Sequence, residues 1–282
     1  MKGTPFPMDV SRARQITTGS RKFDGFYGLS WTPDGRIVYA SAASGNQDIW
    51  VMQSDGSDQK QLTSEPQGSI YQTDVDPAVS SDLRYIFFSS DRITGNPHVW
   101  RIDVGGGNIK QLTNGTGESN PRMTPDGRSV VYLDRSHNTF LWKVSIDGGD
   151  PTPITDKPSG RPVISPDGKF IATGYEVDPN APSKIAVIPI DGGVPVKLFD
   201  VAPTASASSV VWRPDGRSLV YFDTRDGVSN LWSQPLEGGL PAQLTDFRSD
   251  RIYCFDFSSD GHQLALARGD KISNVVLFSN LK

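Results

Sequence analysis

The sequence predicts an all-β fold: a six-bladed β-propeller of four-stranded blades, closed by an N-terminal strand that completes the last blade. Three observations predict it. A tight-turn triplet recurs six times, the same four-strand order surrounds each copy, and one fourth strand is missing at the end and present at the start.

The triplet is Pro-Asp-Gly at 33–35, 125–127, 166–168 and 214–216, Ser-Asp-Gly at 259–261 and Ser-Asp-Leu at 81–83. Its third positions, Gly35, Leu83, Gly127, Gly168, Gly216 and Gly261, lie 48, 44, 41, 48 and 45 residues apart. A period of this size marks a propeller or an array of four-stranded units. Proline presets the first turn position and glycine accepts positive φ, so the triplet reverses the chain tightly.

Each element of the unit follows in order. A short apolar stretch such as Leu29-Ser30-Trp31 precedes the turn. A second strand follows it, as in Arg36–Ala40, Arg84–Phe88 and Arg128–Tyr132. After a polar loop, the third strand centres on Ile49-Trp50, Val99-Trp100, Leu141-Trp142, Ile185-Ala186, Leu231-Trp232 or Val275-Val276. A second glycine turn leads to the fourth strand: Lys60–Thr63, Lys110–Thr113, Thr152–Thr155, Val196–Phe199 and Ala242–Thr245. The sixth unit has no such strand after Phe278, but Arg14-Gln15-Ile16-Thr17 supplies its pattern at the N-terminus. Pairing the two closes the ring and removes the open edge of a linear array. No useful stretch has helical periodicity.

Length and composition agree with this reading. The chain has 282 residues, 28 Gly and 21 Pro, with a formal net charge of −4. Length alone allows one or two domains. The repeats predict one propeller over residues 1–282, with units at about 28–63, 74–113, 119–155, 161–199, 208–245 and 252–278 plus 14–17. The mild negative charge argues against nucleic acid as a partner, since duplex binding needs a concentrated basic patch. No apolar run reaches about 18 residues, so no membrane insertion is expected. The first residues carry no signal-peptide pattern. The single cysteine, Cys254, excludes an internal disulfide.

The tryptophans obey the repeat. Trp50, Trp100, Trp142 and Trp232 are equivalent on third strands, and Trp31 and Trp212 are equivalent four residues before the turn glycine. Large rings at recurring positions are expected to fill the wedges between blades.

With these residues in hand, the chain resembles the WD-repeat-like propellers of the TolB type. The shared order is Ser/Thr-Pro-Asp-Gly, an apolar strand, Asp/Asn-Ile/Leu-Trp, Asp-Gly and Gln-Leu-Thr, from Arg14 to Phe278. The stretches 223–235, 243–247 and 263–269 are also similar to the C-terminal propellers of bacterial serine/threonine kinases and winged-helix regulators. The resemblance implies a bacterial binding or sensing module, extracytoplasmic or periplasmic, with a protein or peptide partner. TolB itself carries an additional N-terminal domain, and the resemblance starts at Arg14, so the repeats are expected without it.

Catalytic signatures are not recognisable. There is no Gly-x-Ser-x-Gly elbow and no kinase set. Gly105-Gly106-Gly107 occupies the second turn of a repeat, so it reads as a turn and not a phosphate loop. His98, His137 and His262 fall at three different repeat positions, which disfavours a histidine metal centre like that of propeller polysaccharide lyases. The turn aspartates Asp34, Asp82, Asp126, Asp167, Asp215 and Asp260 suit the turn itself. No cofactor and no metal ligand set is expected, although a structural cation in the channel remains compatible with the residues there.

Binding is expected on the face that carries the long loops, because variable loops on a rigid scaffold usually hold function. Its candidates are Tyr27, Tyr71, Arg92, Arg135, Arg225, Arg251 and Tyr253, a mixture suited to a protein or peptide surface. A second candidate set surrounds the channel mouth: Asp74, Asp76, Asn120, Arg122, Arg161 and Asp256. Two functions follow. One is a non-catalytic, monomeric binding or sensing module using the long-loop face. The other is a lyase or hydrolase acting on a saccharide or lactone in the channel.

Overall fold

The computed structural model describes residues 8–18, 23–64, 73–136, 138–270 and 274–279. Its strands form six antiparallel sheets of four. Strand β1 (Arg14–Gln15) comes first in the chain. Blade 1 is β2 (Leu29–Trp31), β3 (Arg36–Ser41), β4 (Asp48–Gln53) and β5 (Lys60–Gln61). Blade 2 is β6 (Asp74–Val79), β7 (Tyr85–Ser90), β8 (His98–Asp103) and β9 (Lys110–Gln111). Blade 3 is β10 (Glu118–Met123), β11 (Ser129–Asp134), β12 (Phe140–Ser145) and β13 (Thr152–Pro153). Blade 4 is β14 (Val163–Ile164), β15 (Phe170–Tyr175), β16 (Lys184–Pro189) and β17 (Lys197–Phe199). Blade 5 is β18 (Val211–Trp212), β19 (Ser218–Arg225), β20 (Val228–Pro235) and β21 (Ala242–Gln243). Blade 6 is β22 (Arg251–Phe257), β23 (Leu264–Gly269), β24 (Asn274–Phe278) and, as its outer strand, β1.

The closure uses the same bonds that hold the other outer strands. In the Gln-Leu-Thr copies the threonine hydroxyl accepts a backbone amide of the third strand: Thr63 from Ile49, Thr113 from Val99 and Thr245 from Leu231, each at 2.9 Å. Thr155 does the same for Leu141. The Gln61, Gln111 and Gln243 amides donate to the carbonyl two residues on, at 2.8, 2.7 and 2.6 Å. At the N-terminus Gln15 donates to the Thr17 carbonyl at 2.8 Å, and Thr17 accepts Val275 N–H at 2.9 Å. Blade 4 departs from the pattern: Phe199 stands where the others have threonine, and β17 is one residue longer.

The core is a ring of six interfaces. One apolar cluster joins blades 1 and 2 through Val38, Ile49, Ile86 and Trp100. Others join blades 2 and 3, 3 and 4, 4 and 5, and 5 and 6. The sixth joins blade 6 to blade 1 through Ala265, Val275, Leu29 and Tyr39, and includes Ile16 of the clasp. The expected wedge role holds for Trp31, Trp100 and Trp212, which are buried. Trp31 and Trp212 also cross to the preceding blade, donating Nε1–H to the carbonyls of Asp256 (3.0 Å) and Val163 (3.1 Å).

Each turn aspartate is engaged locally. Asp126 accepts Arg128 N–H at 3.0 Å and the Thr124 hydroxyl at 2.6 Å, and Asp167 and Asp260 repeat the arrangement. These hydrogen bonds from Thr124, Ser165 and Ser258 hold the three carboxyls below their ordinary range. Leu83 takes the glycine's place in blade 2 at φ 57°, a conformation that ordinary side chains rarely adopt.

Candidate functional site

The topology separates two faces. Loops between blades and between second and third strands share one face. The Pro-Asp-Gly turns and the second glycine turns share the other. The long-loop face gathers aromatic side chains where blade 6 meets blade 1. The Phe26 ring lies 4.7 Å from Tyr27 and 4.3 Å from Tyr253, centroid to centroid. Tyr27 is 41% exposed, Arg251 is exposed, and Tyr253 is half-buried with its hydroxyl donating to the Asp270 carbonyl at 2.7 Å. Burial, the largest effect, raises the Tyr253 phenol above its ordinary value.

The other candidates on this face are not gathered with these. Tyr71 and His137 lie outside the described residues. Arg135 is exposed on the loop after β11. Arg225 bonds Asp223 at 2.8 Å and covers the Trp232 ring at 5.4 Å, and its side chain remains 63% exposed. Arg92 does not stand out on the rim as the sequence predicts. Its guanidinium bonds Asp74 at 2.6 Å, lies 5.2 Å over Trp100 and 5.4 Å over Phe88, and is only 11% exposed. An arginine that stacks on aromatic rings beside a carboxylate is held inward by both attractions.

Asp74 likewise belongs to that inter-blade cluster and not to the channel mouth. It is fully buried. Beside it, Asp48 accepts from Gln61 at 2.9 Å and from the Ser44 hydroxyl. Burial first, and then the Asp74 charge, push the Asp48 carboxyl up. One oxygen of each carboxylate has no hydrogen-bond partner. The corresponding gap between blades 2 and 3 holds a complementary pair instead, His98 Nδ1 to Glu118 Oε2 at 2.9 Å. Sequence reasoning missed Asp48, although its place at the start of a third strand matched that of His98.

The remaining channel candidates do converge. Asp76, Asn120, Arg161 and Cys254 share one repeat position, seven residues before the turn glycine or its equivalent. The inner strands of blades 2, 3 and 6 shift register there, after Val75, Ser119 and Ile252. Asp76 and Asn120 both take φ 56°. Gly28 has the same position in blade 1 at φ 122°, where a Cβ would stand 2.9 Å from the Asp76 Cα. Only glycine fits there, because the neighbouring backbone comes too close.

The charges in this ring do not close into tight pairs. The nearest approach is Arg161 to Asp76 at 3.9 Å. Arg122 donates to the Pro121 carbonyl at 2.7 Å. It senses Asp76 and Asp256, but burial dominates and lowers its pKa. Among the described residues Asp256 accepts from two backbone amides, Phe257 at 2.9 Å and Trp31 at 3.3 Å. Burial raises its carboxyl to about 6 against these bonds and the Arg122 charge. Burial also lifts the Cys254 thiol to about 12, so it is not a ready nucleophile. The Asn120 amide is buried with neither its oxygen nor its nitrogen partnered. Among the described residues, no group of three or more His, Cys, Asp or Glu side chains is placed to hold a metal ion.

Repeated four-stranded blades around a polar channel, closed by an N-terminal strand, define a WD-like repeat propeller. The TolB beta propeller domain model matches residues 12–206, and the chain belongs to that family. An uncharacterised protein of Agrobacterium fabrum is 31% identical over 152 residues, which cover 50% of this chain and 47% of that protein. The chain spans less than half the length of the curated relatives it matches. A putative TolB structure from Agrobacterium tumefaciens superposes with a TM-score of 0.72 at 18% identity, covering 97% of this chain and 96% of that one. An oligogalacturonate lyase in complex with manganese has the same fold, with a TM-score of 0.62 at 18% identity, covering 95% and 78%.

Proposed function

We propose that this protein is a non-catalytic binding or sensing module that engages a protein or peptide partner through its long-loop face. The aromatic cluster of Phe26, Tyr27 and Tyr253 beside Arg251 carries the reading. Exposed aromatics next to arginine are the side chains that dominate protein recognition. Membership of the TolB propeller family supports a binding role and an extracytoplasmic setting, and the unit is proposed to act as a monomer. It is also compatible with a sensory propeller working alongside a kinase or winged-helix regulator.

Photo-crosslinking tests this directly. A crosslinker at position 27 or 251 should trap a discrete protein or peptide, and Tyr253→Ala should weaken the capture. The same crosslinker at Asp215, on the short-turn face, should not trap it. Equal capture from both faces refutes the assignment.

A propeller enzyme acting on a saccharide or lactone is the second reading, favoured by the unclosed charges of the channel and by the fold shared with the lyase. Metal analysis of the purified protein separates the two. A stoichiometric manganese or calcium ion together with turnover of an anionic oligosaccharide supports the enzyme.

A further inference from the structure

Basic side chains of several blades reach across to the second glycine turn of the next blade. From fourth strands, Lys60, Lys110 and Lys197 donate to the carbonyls of Gly105 (3.1 Å), Asp147 (2.7 Å) and Leu236 (2.6 Å). From third strands, Lys143 bonds Asp191 at 2.9 Å, and Arg101 donates to the Ile146 carbonyl at 2.8 Å with its guanidinium 4.2 Å over the Tyr85 ring. Register places Val187 where blades 2 and 3 have Arg101 and Lys143, since they stand opposite the fourth-strand residues Lys197, Lys110 and Thr152 respectively. Phe170 likewise stands where blade 2 has Tyr85, at the start of the second strand. Blade 4 therefore keeps the ring and lacks the cation that covers it. A cavity of about 270 Å³ opens there between blades 4 and 5, on the short-turn face, lined by Phe170, Val187, Trp212, Leu236, Asp167 and Asp215. Val51 has the valine's place in blade 1, but Arg36 stands there in place of the ring.

We propose that this cavity binds an alkylguanidinium group, its planar cation over the Phe170 ring beside the Asp167 and Asp215 carboxylates and its stem against Val187 and Leu236.

The repeat itself selects this class. Between blades 2 and 3 the same slot is filled by the protein's own arginine, stacked on the equivalent ring. A cation is attracted to an aromatic face, and a guanidinium stacks flat and is less strongly hydrated than an ammonium. Asp167 and Asp215 are exposed carboxylates of the wall, so the cavity favours a cation over an anion. Lys197 also lines it, but its ammonium is held on the Leu236 carbonyl. Lys110 and Arg101 sit together at the equivalent turn, so the lysine leaves room for a guanidinium beside it. The volume lies just under the roughly 300–1,000 Å³ of drug-sized pockets, which suits one small group. The site is independent of the long-loop face and of any partner there.

Titration of the full chain with n-butylguanidinium, followed by amide and indole NMR shifts at constant ionic strength, tests the proposal. The Gly216 amide and the Trp212 indole should shift saturably. The neutral isostere n-butylurea should bind about tenfold or more weakly, the scale of a lost charge-assisted contact, and n-butylammonium should also bind more weakly. Phe170→Ser, which installs the residue that Ser129 and Ser218 provide in blades 3 and 5, should weaken binding about threefold to thirtyfold. Val187→Arg, which restores the blade 2 arrangement, should abolish binding while the protein stays folded by circular dichroism. Tyr27→Ala should leave binding unchanged. L-arginine and Nα-acetyl-L-arginine N-methylamide separate the sources of the group. Tighter or equal binding of the first names a free molecule as the ligand, and tighter binding of the second names a side chain on another chain. Binding of neither overturns the proposal. So does the absence of a saturable shift with n-butylguanidinium up to about 10 mM, a range covering even weak millimolar ligands. Equal binding of n-butylurea, tighter binding of n-butylammonium, or binding unaffected by Val187→Arg overturns it as well. If Val187→Arg fails to fold, the analogue series and Phe170→Ser decide alone.

Discussion

Replacing Thr17 by valine isolates the bond that locks the ring. Thr17 is buried, and its hydroxyl accepts Val275 N–H at 2.9 Å. Valine keeps the branched shape and removes the acceptor. It leaves a buried amide unpaired, at a cost of about 1–3 kcal/mol. Each kcal/mol shifts the melting temperature by about 2–4 °C in domains of 150–250 residues. A fall of about 2–12 °C is therefore expected for Thr17→Val. Thr113→Val provides the internal standard, because Thr113 accepts Val99 N–H at the same 2.9 Å inside blade 2. The two variants should cost the same within about 1 kcal/mol, a tolerance set by the context dependence of buried hydrogen bonds. Thr17→Ser, which keeps the hydroxyl, should retain most of the stability.

Deleting residues 1–17 removes more. Ile16 contributes about 2–3 kcal/mol through burial. The Ile16 N–H to Val275 carbonyl bond at 2.9 Å, the Thr17 bond and the Met8 N–H to Leu244 carbonyl bond at 2.6 Å add about 1 kcal/mol each. The total, about 5–6 kcal/mol, rivals the whole stability of a typical domain. Differential scanning calorimetry, with hydrogen exchange at Val275 and Leu277, follows both experiments. An unchanged melting temperature for Thr17→Val while Thr113→Val loses several degrees would refute the closure argument.

Two further outcomes follow from the same geometry. Gly56 and Gly35 both hold positive φ, 90° and 85°, but a Cβ on Gly56 would stand 2.1 Å from the Ile16 carbonyl oxygen, whereas Gly35 faces open space. Gly35→Ala should cost about 1–2 kcal/mol from backbone strain alone and Gly56→Ala clearly more, since it also pushes the clasp away; equal urea midpoints would show that the clasp does not press on that turn. Asp256, raised by burial to about 6 from 3.8, binds more protons folded than unfolded between those values. Stability should therefore fall as pH rises through that window, by up to about 3 kcal/mol from this group, with Asp48 acting in the same direction. Urea titrations from pH 4.5 to 8 should show this slope in the wild type and a flatter one in Asp256→Asn; identical slopes would remove Asp256 as its source.

The blades were legible because their signals are local. Pro-Asp-Gly fixes a turn within four residues, and Gln-Leu-Thr carries its own hydrogen bonds, so Arg14–Thr17 could be recognised as a displaced fourth strand. The site was less legible because it depends on where neighbouring blades place their side chains. Arg92 looks like a rim arginine in sequence, but the Asp74 carboxylate and the Trp100 ring draw it inward. Asp74 and Asp76 are two residues apart, yet the register shift after Val75 separates their surroundings: one packs between blades and the other faces Arg161. The cavity among the short turns, lined by Pro33, Pro125 and Pro166, was missed for another reason. Pro33, Pro125 and Pro166 had a sufficient local explanation as turn residues, and only the closed ring turns them toward one cavity.

The channel and the turns differ in how their polar side chains are paired. Gly28, Asp76 and Asn120 adopt left-handed or near left-handed backbone at one repeat position, so the scaffold requires that conformation in three blades. Glycine meets the requirement most readily. Asp76 and Asn120 meet it at a conformational cost, and they bring respectively a loosely paired charge and an unpartnered buried amide. Stability alone would favour glycine there and well-packed apolar residues in place of Arg122, Arg161 and Asp256. The repeat's own motif groups behave differently: the outer-strand threonine hydroxyls and the turn aspartates are satisfied within a few residues or by a neighbouring strand. Incompletely paired polar groups at the axis, beside turns and outer-strand threonines that satisfy theirs, support the reading in which a ligand enters the channel.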